Sequence, residues 1–387
     1  MSLIKTFDVL VVYTSAVASS ASKKDISSPF QKSAGRTHYD NAYSYLLQTC
    51  QEIGLTAAFT TSEDISDGGT TNCYWIFQSH KWVKINQPCY SELIFDKLSP
   101  NTPYLKKQID LLFSHYKVTA FNSYALFSLF YDKQNTFNKL KEFTIPTVSL
   151  RDNSLSCIKQ ALREIEVLTF QHVHHRDFSN RFVLKDRFGS GGENVYLINN
   201  VHALSEIHKI TKRKKHTLFI LQPFAQFETG YMYKKTAGFT DIRMIYIGSN
   251  LKQVYIRRAK KQDFRCNEHQ GGQLDYVSPR DIPAYIHTFA QKVVRKINAS
   301  NELYALDFVV SNNGNVFLME GNIRPGIDWN LTLKKNERMA KKLIRSIVGE
   351  LKKRIISETP TPKITPVFVQ HTALNSLNQK LEVQIVI

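Results

Sequence analysis

Tyr255-Ile-Arg-Arg-Ala-Lys-Lys-Gln-Asp-Phe-Arg-Cys-Asn-Glu-His-Gln-Gly-Gly272 is the stretch on which the reading of this chain turns. It brings guanidinium forks, a carboxamide and a glycine pair into one strand-and-loop. Planar guanidiniums bind phosphoryl oxygens two at a time, and Gly271 and Gly272 let backbone approach a ligand with no Cβ in the way. The plainer reading is a solvated basic hairpin, since charge runs usually face water. The flanking sequence argues against it.

Downstream, the apolar run Leu303-Tyr-Ala-Leu-Asp-Phe-Val-Val310 holds one acid, the turn Ser311-Asn-Asn-Gly314 follows, and Asn315-Val-Phe-Leu-Met-Glu-Gly-Asn322 returns. The pattern predicts a β-hairpin whose strongly polar side chains are Asp307, Glu320 and Asn322. Glu320 and Asn322 are two residues apart on a strand and so share a face. An Asp, a Glu and an Asn on neighbouring strands form a hard-oxygen set suited to Mg²⁺, which takes a few protein oxygens and completes its shell with water and phosphate. The alternative for Asp307 is to pair with one of the many cations here.

Upstream, Phe182-Val-Leu-Lys-Asp-Arg-Phe-Gly-Ser-Gly-Gly-Glu-Asn-Val-Tyr-Leu-Ile198 puts Lys185 at the end of a strand, then Gly189, Ser190, Gly191 and Gly192 before a second strand. Such a loop between antiparallel strands reads as a lid whose N–H groups cover phosphates, weighed against an ordinary hairpin turn. The Gly-x-x-x-x-Gly-Lys-[Ser/Thr] spacing is absent and no helix follows, which excludes a Walker loop. No βαβ unit surrounds the glycines, which removes a Rossmann fingerprint.

In chain order come Asp132-Lys133, Lys185 with its lid, Leu218-Phe-Ile-Leu-Gln-Pro-Phe224, Asp241-Ile-Arg243, the Arg-rich stretch, and Asp307 with Glu320-x-Asn322. That order resembles the ATP-grasp superfamily, and within it the RimK-like glutamate ligases of its glutathione synthetase-like branch. Arg257-Arg-Ala-Lys260, Asp263-Phe-Arg-x-Asn267 and Gly271-Gly272 are similar to the family's Arg-Arg-Ala-Lys, Asp-Phe-Arg-Ser-Asn and Gly-Gly, and Asp241-Ile-Arg243 to its Asp-Ile-Arg. The similarity runs from about Asp132 to about Ile347.

The resemblance implies an α/β protein with an ATP-grasp fold. An N-terminal open α/β substrate domain over residues 1–130 would precede two α+β lobes over 131–226 and 227–356, with a tail over 357–387. Lys133 and Lys185 would hold ATP phosphates, Gln222 and Phe224 would lie in the hinge that meets the adenine, and Asp241 with Arg265, Cys266 and Asn267 would complete the nucleotide site. Asp307, Glu320 and Asn322 would hold two Mg²⁺ ions, with Mn²⁺ as a substitute. The implied chemistry joins a carboxylate to an amine through an acyl phosphate, releasing ADP and phosphate, on amino acids, peptides, proteins or small carboxylates. Independently, phosphoryl transfer needs concentrated positive charge around spread negative oxygens. That argument selects Arg265 and either Arg257 or Arg258, whichever points inward.

Three departures from the family pattern stand out. After Glu320-Gly-Asn322 the relatives place a small residue before Pro-Gly, whereas this chain has Ile323-Arg324-Pro325-Gly326, which puts a cation beside the expected acceptor site. Gln226-Phe-Glu-Thr-Gly-Tyr-Met-Tyr233 is long and aromatic and reads as an insertion near the nucleotide or the acceptor. Residues 1–130 carry no motif that matches, in the region where such enzymes recognise one substrate.

Composition bounds the rest. The 387 residues are 42% hydrophobic, enough for two or three packed units. The net charge of +18 would attract nucleotides, acidic peptides or nucleic acid. Much of it falls on Lys334–Arg354, where Met339, Leu343, Ile347 and Leu351 trace an apolar stripe and the cations read as a solvated helix face. Five cysteines, with no Cys-x-x-Cys spacing, indicate neither a disulfide framework nor a zinc site, and the cytosol fits best. No apolar run approaches the roughly 18 residues of a membrane helix. His172, His174 and His175 read as a surface cluster before a strand rather than a metal site.

The N-terminal run Val9–Tyr13 reads as a first strand, followed by a helix marked by Tyr39, Tyr43, Leu46, Leu47 and Cys50 and by strands near Ala57, Tyr74 and Leu93. After Ser357 the Thr-Pro-Thr-Pro run reads as a linker and Leu381–Ile387 as a late strand, on this chain or on a neighbour in a homo-oligomer. Two rival readings remain. One is an ATP-binding regulatory module without turnover; the other is a basic nucleic-acid-binding protein, whose affinity would fall steeply with salt and ignore ATP.

Overall fold

The first strand forms where the sequence is most apolar. In this computed structural model, which describes residues 4–31, 37–331 and 333–356, Val9–Tyr13 (β1) has four of its five residues buried. Helix α1 (Thr37–Glu52) follows and buries Tyr43, Leu46, Leu47 and Cys50 along one stripe. The strands β2 (Ala57–Thr61), β3 (Tyr74–Gln78), β4 (Lys81–Ile85) and β5 (Leu93–Lys97) come next. Helix α2 (Pro103–Leu112) then opens on a Thr102 side-chain cap and a proline in its first turn. With the short β6 (Thr119–Ala120) these strands form one sheet in the order β6-β5-β1-β2-β3-β4. The first four are parallel and the β3–β4 hairpin is antiparallel. An open α/β arrangement is what the alternation of the sequence predicts.

Two short helices follow back to back. Helix α3 (Tyr124–Tyr131) is capped by Ser123, and α4 (Lys133–Leu140) by Asp132, the residue between them. Their apolar side chains Leu126, Phe130 and Leu140 join the core beneath the last sheet of the chain, so the Asp132-Lys133 junction is anchored to that sheet. Beyond Pro146 come β7 (Val148–Ser149), α5 (Leu155–Gln171), β8 (Phe178–Asp186), β9 (Val195–Asn199), α6 (Ala203–Arg213) and β10 (Phe219–Ala225). The sheet is antiparallel, ordered β7-β10-β8-β9, with α5 and α6 packed on one face. The glycine-rich loop joins β8 to β9, as its spacing predicts.

The third unit contains β11 (Thr240–Ile247), β12 (Asn250–Arg258), β13 (Gln273–Val277), α7 (Ala284–Ile297), β14 (Leu303–Val310), β15 (Val316–Asn322) and α8 (Lys334–Ile356). Its antiparallel sheet runs β13-β12-β11-β14-β15. Helix α7 covers one face together with α3 and α4. On the other face, Leu343, Ile344, Ile347 and Leu351 of α8 join a core shared with Tyr43, Leu46 and Cys50 of α1, so the last helix ties the N-terminal domain to this sheet. The linker and late strand expected after Ser357 lie outside the described residues. Among the described residues, no helix is long and apolar enough to cross a membrane.

Candidate active site

Strand register builds the centre of the site. Asp241 of β11 stands opposite Arg257 of β12, Arg243 of β11 opposite Asp307 of β14, and Asp307 opposite Glu320 of β15. Residues two apart on β11 share a face, so Arg257, Asp241, Arg243 and Asp307 alternate in sign across three strands, with a second acid, Glu320, on the fourth. Arg257 donates to both Asp241 oxygens at 2.8 Å each and to Asp307 Oδ2 at 2.6 Å. Arg243 grips Asp307 with both arms of its fork, Nε to Oδ1 and Nη2 to Oδ2, each at 2.5 Å, and reaches Tyr255 Oη at 3.3 Å. All four charged groups are buried.

Burial opposes ionisation of Asp307, yet the two guanidiniums prevail and hold its carboxyl down to about 2. Burial pushes Asp241 the other way, up to about 6, against the pull of Arg257. Two guanidiniums against two carboxylates make a plate that is neutral within itself. Strand alternation also resolves the open choice between the two arginines: Arg257 faces this plate, while Arg258 turns out to Gln273 Oε1 at 3.1 Å.

The sheets of the second and third units face each other across a cleft. Its lining includes Lys133, Lys185, Gly189, Ser190, Gly192, Asp241, Arg257, Arg265, Cys266, Asn267, Asp307 and Glu320. Burial lowers the Lys185 ammonium to about 8, with Glu320 opposing the shift and Lys133 adding to it. Lys133 is lowered for the same first reason, with Glu320 opposing. Both ammonium groups therefore sit where an anion would restore their charge.

The lid is closed down on the Arg-rich loop. Arg265 Nη1 donates to Gly192 O at 3.4 Å and Gln270 Nε2 to Gly191 O at 3.2 Å. Gly192 has φ +76°, a conformation that favours glycine, and a Cβ there would lie 2.8 Å from Asn267 Oδ1, which would have to swing away. Arg265 is also forked onto Asp263, at 3.1 Å and 2.9 Å.

Several expected residues have partners of their own. Gly271 ends a short turn with φ +87°, and a Cβ on Gly272 would fall 2.2 Å from Cys266 O. That pair closes its own loop and does not line the cleft. Gln222 Nε2 donates to Thr147 Oγ1 at 2.8 Å, and Phe224 is buried among Phe227, Phe239 and Phe264. Phe227 and Phe264 line the cleft instead, with Val195, Val309 and Met319. Arg324 reaches the N-terminal domain, donating to Asp96 Oδ2 at 2.8 Å and 2.5 Å. The three histidines cluster at the turn before β8, and Asp177 beside them accepts from Asn313 at 2.6 Å and Asn315 at 2.9 Å.

Arg243 joins the site without a motif role of its own, and its position two residues after Asp241 on an apolar strand is the signal for it. Asp186, Glu193 and the apolar wall also line the cleft, and no spacing in the sequence marks them.

The donor set fits a divalent cation in its chemistry. A carboxylate offers about four lone-pair sites, and Asp307 accepts three N–H donors, two of them on Oδ2. One site on Oδ1 remains. Glu320 lines the cleft with a side chain 30% exposed and lies 3.8 Å from Arg243. Asn322 Oδ1 accepts from Arg324 N at 2.8 Å. Among the described residues no group of three His, Cys, Asp or Glu stands in metal-holding geometry, so an ion here would take an amide oxygen with two carboxylates.

Two antiparallel sheets facing across a cation-rimmed cleft, one bearing a glycine-rich loop, define an ATP-grasp fold. Residues 143–347 match the RimK-like ATP-grasp domain, and the chain belongs to that family. It is 26% identical over 219 residues to the Probable alpha-L-glutamate ligase of Haemophilus ducreyi, a match covering 56% of this chain and 62% of that protein. To the protein of the same name from Haemophilus influenzae it is 23% identical over 263 residues, covering 65% and 80%. The matched segment thus spans less than two thirds of the first relative's length.

Among solved structures, D-cycloserine synthetase shares the fold with a TM-score of 0.55 at 16% identity, over 89% of this chain and 99% of that one. D-alanyl-alanine synthetase A from Vibrio cholerae O1 does so at 0.55 and 11%, over 91% and 100%. The RiPP-associated ATP-grasp ligase of Chryseobacterium gregarium, in complex with ADP and a leader and core peptide, scores 0.53 at 13%, over 91% and 97%.

Proposed function

We propose that this protein is an ATP-dependent carboxylate–amine ligase working through an acyl phosphate. The observation that carries this reading is the convergence of Lys133, Lys185, Arg257 and Arg265 on one cleft that also holds Asp307 and Glu320. Phosphoryl transfer demands little covalent help from a protein and much positioned charge. A substrate carboxylate oxygen attacks the γ-phosphorus, the bond to the β-bridging oxygen breaks, and ADP leaves. An amine nitrogen then attacks the acyl carbon, phosphate departs with the C–O bond electrons, and the nitrogen loses a proton.

In this reading each residue has a part. Lys133 and Lys185 hold β- and γ-phosphate oxygens, and the lid backbone at Gly189–Gly192 closes over them. Arg257 and Arg265 stabilise the acyl phosphate from either side. Asp307, Glu320 and Asn322 would hold Mg²⁺, which when bound supplies charge neutralisation at the phosphates. The apolar wall of Val195, Phe227, Phe264, Val309 and Met319 suits a purine ring.

The names of the Haemophilus relatives support an amino acid as one substrate, and the peptide in the Chryseobacterium complex supports a peptide or protein as the other. The test is an ADP-release screen of amino acids and peptides with Mg²⁺, with products weighed by mass spectrometry. A product lighter by one water than its two substrates supports the ligase.

A second reading, a nucleotide-binding module without turnover, is favoured by the grip of two guanidiniums on Asp307. Mg-ATP binding with no ADP release from any pair in the screen would decide for it.

A further inference from the structure

Three consecutive residues at the α3–α4 junction meet three consecutive residues at the base of the lid. The Tyr131 ring lies 5.1 Å from the Phe188 ring. Asp132 takes the Arg187 fork on both oxygens, Nε to Oδ1 at 2.7 Å and Nη2 to Oδ2 at 2.6 Å. Lys133 Nζ donates to Gly189 O, and its backbone N to Arg187 O at 3.2 Å. Neither Asp132 nor Arg187 lines the cleft.

The same junction is seated on the third unit's sheet through Leu126, Phe130 and Leu140. The lid itself grows from the second unit's sheet. Its tip contains left-handed residues at Gly191, Gly192 and Asn194, a conformation that makes a turn rather than a continuation of either strand.

We infer that Asp132 and Arg187 form a positioning pair that seats the base of the lid on the third unit and thereby sets its height over the phosphates and the direction of Lys133. The inference rests on the nucleotide-binding reading of the cleft. Arg187 is a positioning residue here, acting through the lid and touching no reacting atom. A bidentate guanidinium–carboxylate pair fixes both distance and orientation, which a lysine in place of Arg187 would not. Asp132 has a second duty, since its Oδ1 also caps α4 by accepting from Gln134 N at 2.9 Å. Asn is as good a cap as Asp, so Asp132→Asn removes the charge and keeps the helix start.

The full chain is used for the test, as wild type, Asp132→Asn, Arg187→Gln and the double variant. Mg-ATP affinity is measured by calorimetry, melting temperature by scanning fluorimetry, and lid opening by glutamyl-endopeptidase cleavage after the exposed Glu193 with no nucleotide present. The expected result is a roughly three- to tenfold loss of affinity in each single variant. The double variant should be no weaker than the worse single one, because both remove one interaction. Cleavage after Glu193 should accelerate several-fold while melting stays within about 3 °C of wild type.

Wild-type affinity and cleavage in both single variants overturn the inference. So does a loss of affinity that comes with a large fall in melting temperature in the milder Asp132→Asn, which would make the pair merely structural. A wild-type protein that binds no Mg-ATP overturns the reading of the cleft, and the cleavage rates then judge the seat of the lid on their own.

Discussion

Replacing Asp307 by Asn and Glu320 by Gln should separate two roles that adjacent strands bring together. Asp307 is 2% exposed and accepts three N–H bonds from Arg243 and Arg257. The amide keeps the shape but removes the charge that compensates two buried guanidiniums, leaving Asp241 as their close carboxylate. Breaking a buried pair from one side costs about 3–5 kcal/mol, because the partner's charge stays buried. In a unit of roughly 150–250 residues that amounts to about 6–20 °C in melting temperature. Glu320 is different, with a side chain 30% exposed and its contact to Arg243 at 3.8 Å. Its loss should change stability by less than about 1 kcal/mol. If it holds Mg²⁺, ADP release should nevertheless fall by at least about a hundredfold, the scale of a misplaced charge in a transition state. Thermal melting beside ADP release over a Mg²⁺ titration tests both halves. An Asp307→Asn protein that melts with wild type refutes the buried plate as a source of stability, and a Glu320→Gln protein with wild-type turnover at low Mg²⁺ refutes the metal assignment.

Lys185→Met keeps the apolar stem and loses the ammonium, so Mg-ATP should bind roughly ten- to a hundredfold more weakly with little change in melting; unchanged affinity by calorimetry makes Lys185 structural. Its ammonium is lowered to about 8, so nucleotide binding should take up a proton above that pH and weaken by up to about tenfold per pH unit, which calorimetry in buffers of different ionisation enthalpy would detect and a flat affinity from pH 7 to 9.5 would contradict. For stability the sign is opposite: between about 8 and 10.5 the folded chain holds fewer protons on Lys185 than the unfolded chain, so this group's burial penalty is present below 8 and relieved as pH rises through that window. Arg324→Ala leaves the buried Asp96 without its fork and should cost about 1–3 kcal/mol with Mg-ATP affinity unchanged; a raised KM for the carboxylate or amine with no loss of stability would instead make Arg324 a substrate residue.

The sequence carried the third unit almost whole, and for a physical reason. Its strands are long and apolar with isolated charges, so each acid or arginine inside them announces a buried polar site that needs a partner. Which partner was less legible. That Asp241 meets Arg257 and Arg243 meets Asp307 depends on register, and register is set by hairpin turns and by packing of the whole face. Arg324 shows the limit most clearly. Read locally, a cation after Glu320-Gly-Asn322 points at a substrate, yet its partner Asp96 lies 228 residues away at the end of β5. Gly271 and Gly272 show the same from another side: the pair was read for a ligand's approach, and the backbone it admits is that of Cys266. The Asp132–Arg187 pair had no local signal, since a cap and a strand-end arginine look complete without each other.

The charges of the cleft fall into two kinds, and the difference explains how a site so full of ions can still take a ligand. Arg243, Arg257, Asp241 and Asp307 satisfy one another within a sheet, and all but Asp241, which pairs with β12 alone, are held by strand pairing on both sides. Moving any of them would strip a buried charge of its partner, so the plate stays fixed and offers a preorganised field at no cost of rearrangement. Lys133 donates instead to a lid carbonyl, Gly189 O, and Arg265, while forked onto Asp263, turns Nη1 to another, Gly192 O; both carbonyls are neutral acceptors. A hydrogen bond between two ionised groups is stronger than one to a neutral carbonyl, so exchange of these carbonyls for phosphate oxygens is favourable. The Gly189 carbonyl thus holds Lys133 in place, and the Gly192 carbonyl occupies one nitrogen of Arg265, until an anion takes them over. Variants of the plate should therefore register in stability first and in affinity second, and variants of the rim in the reverse order.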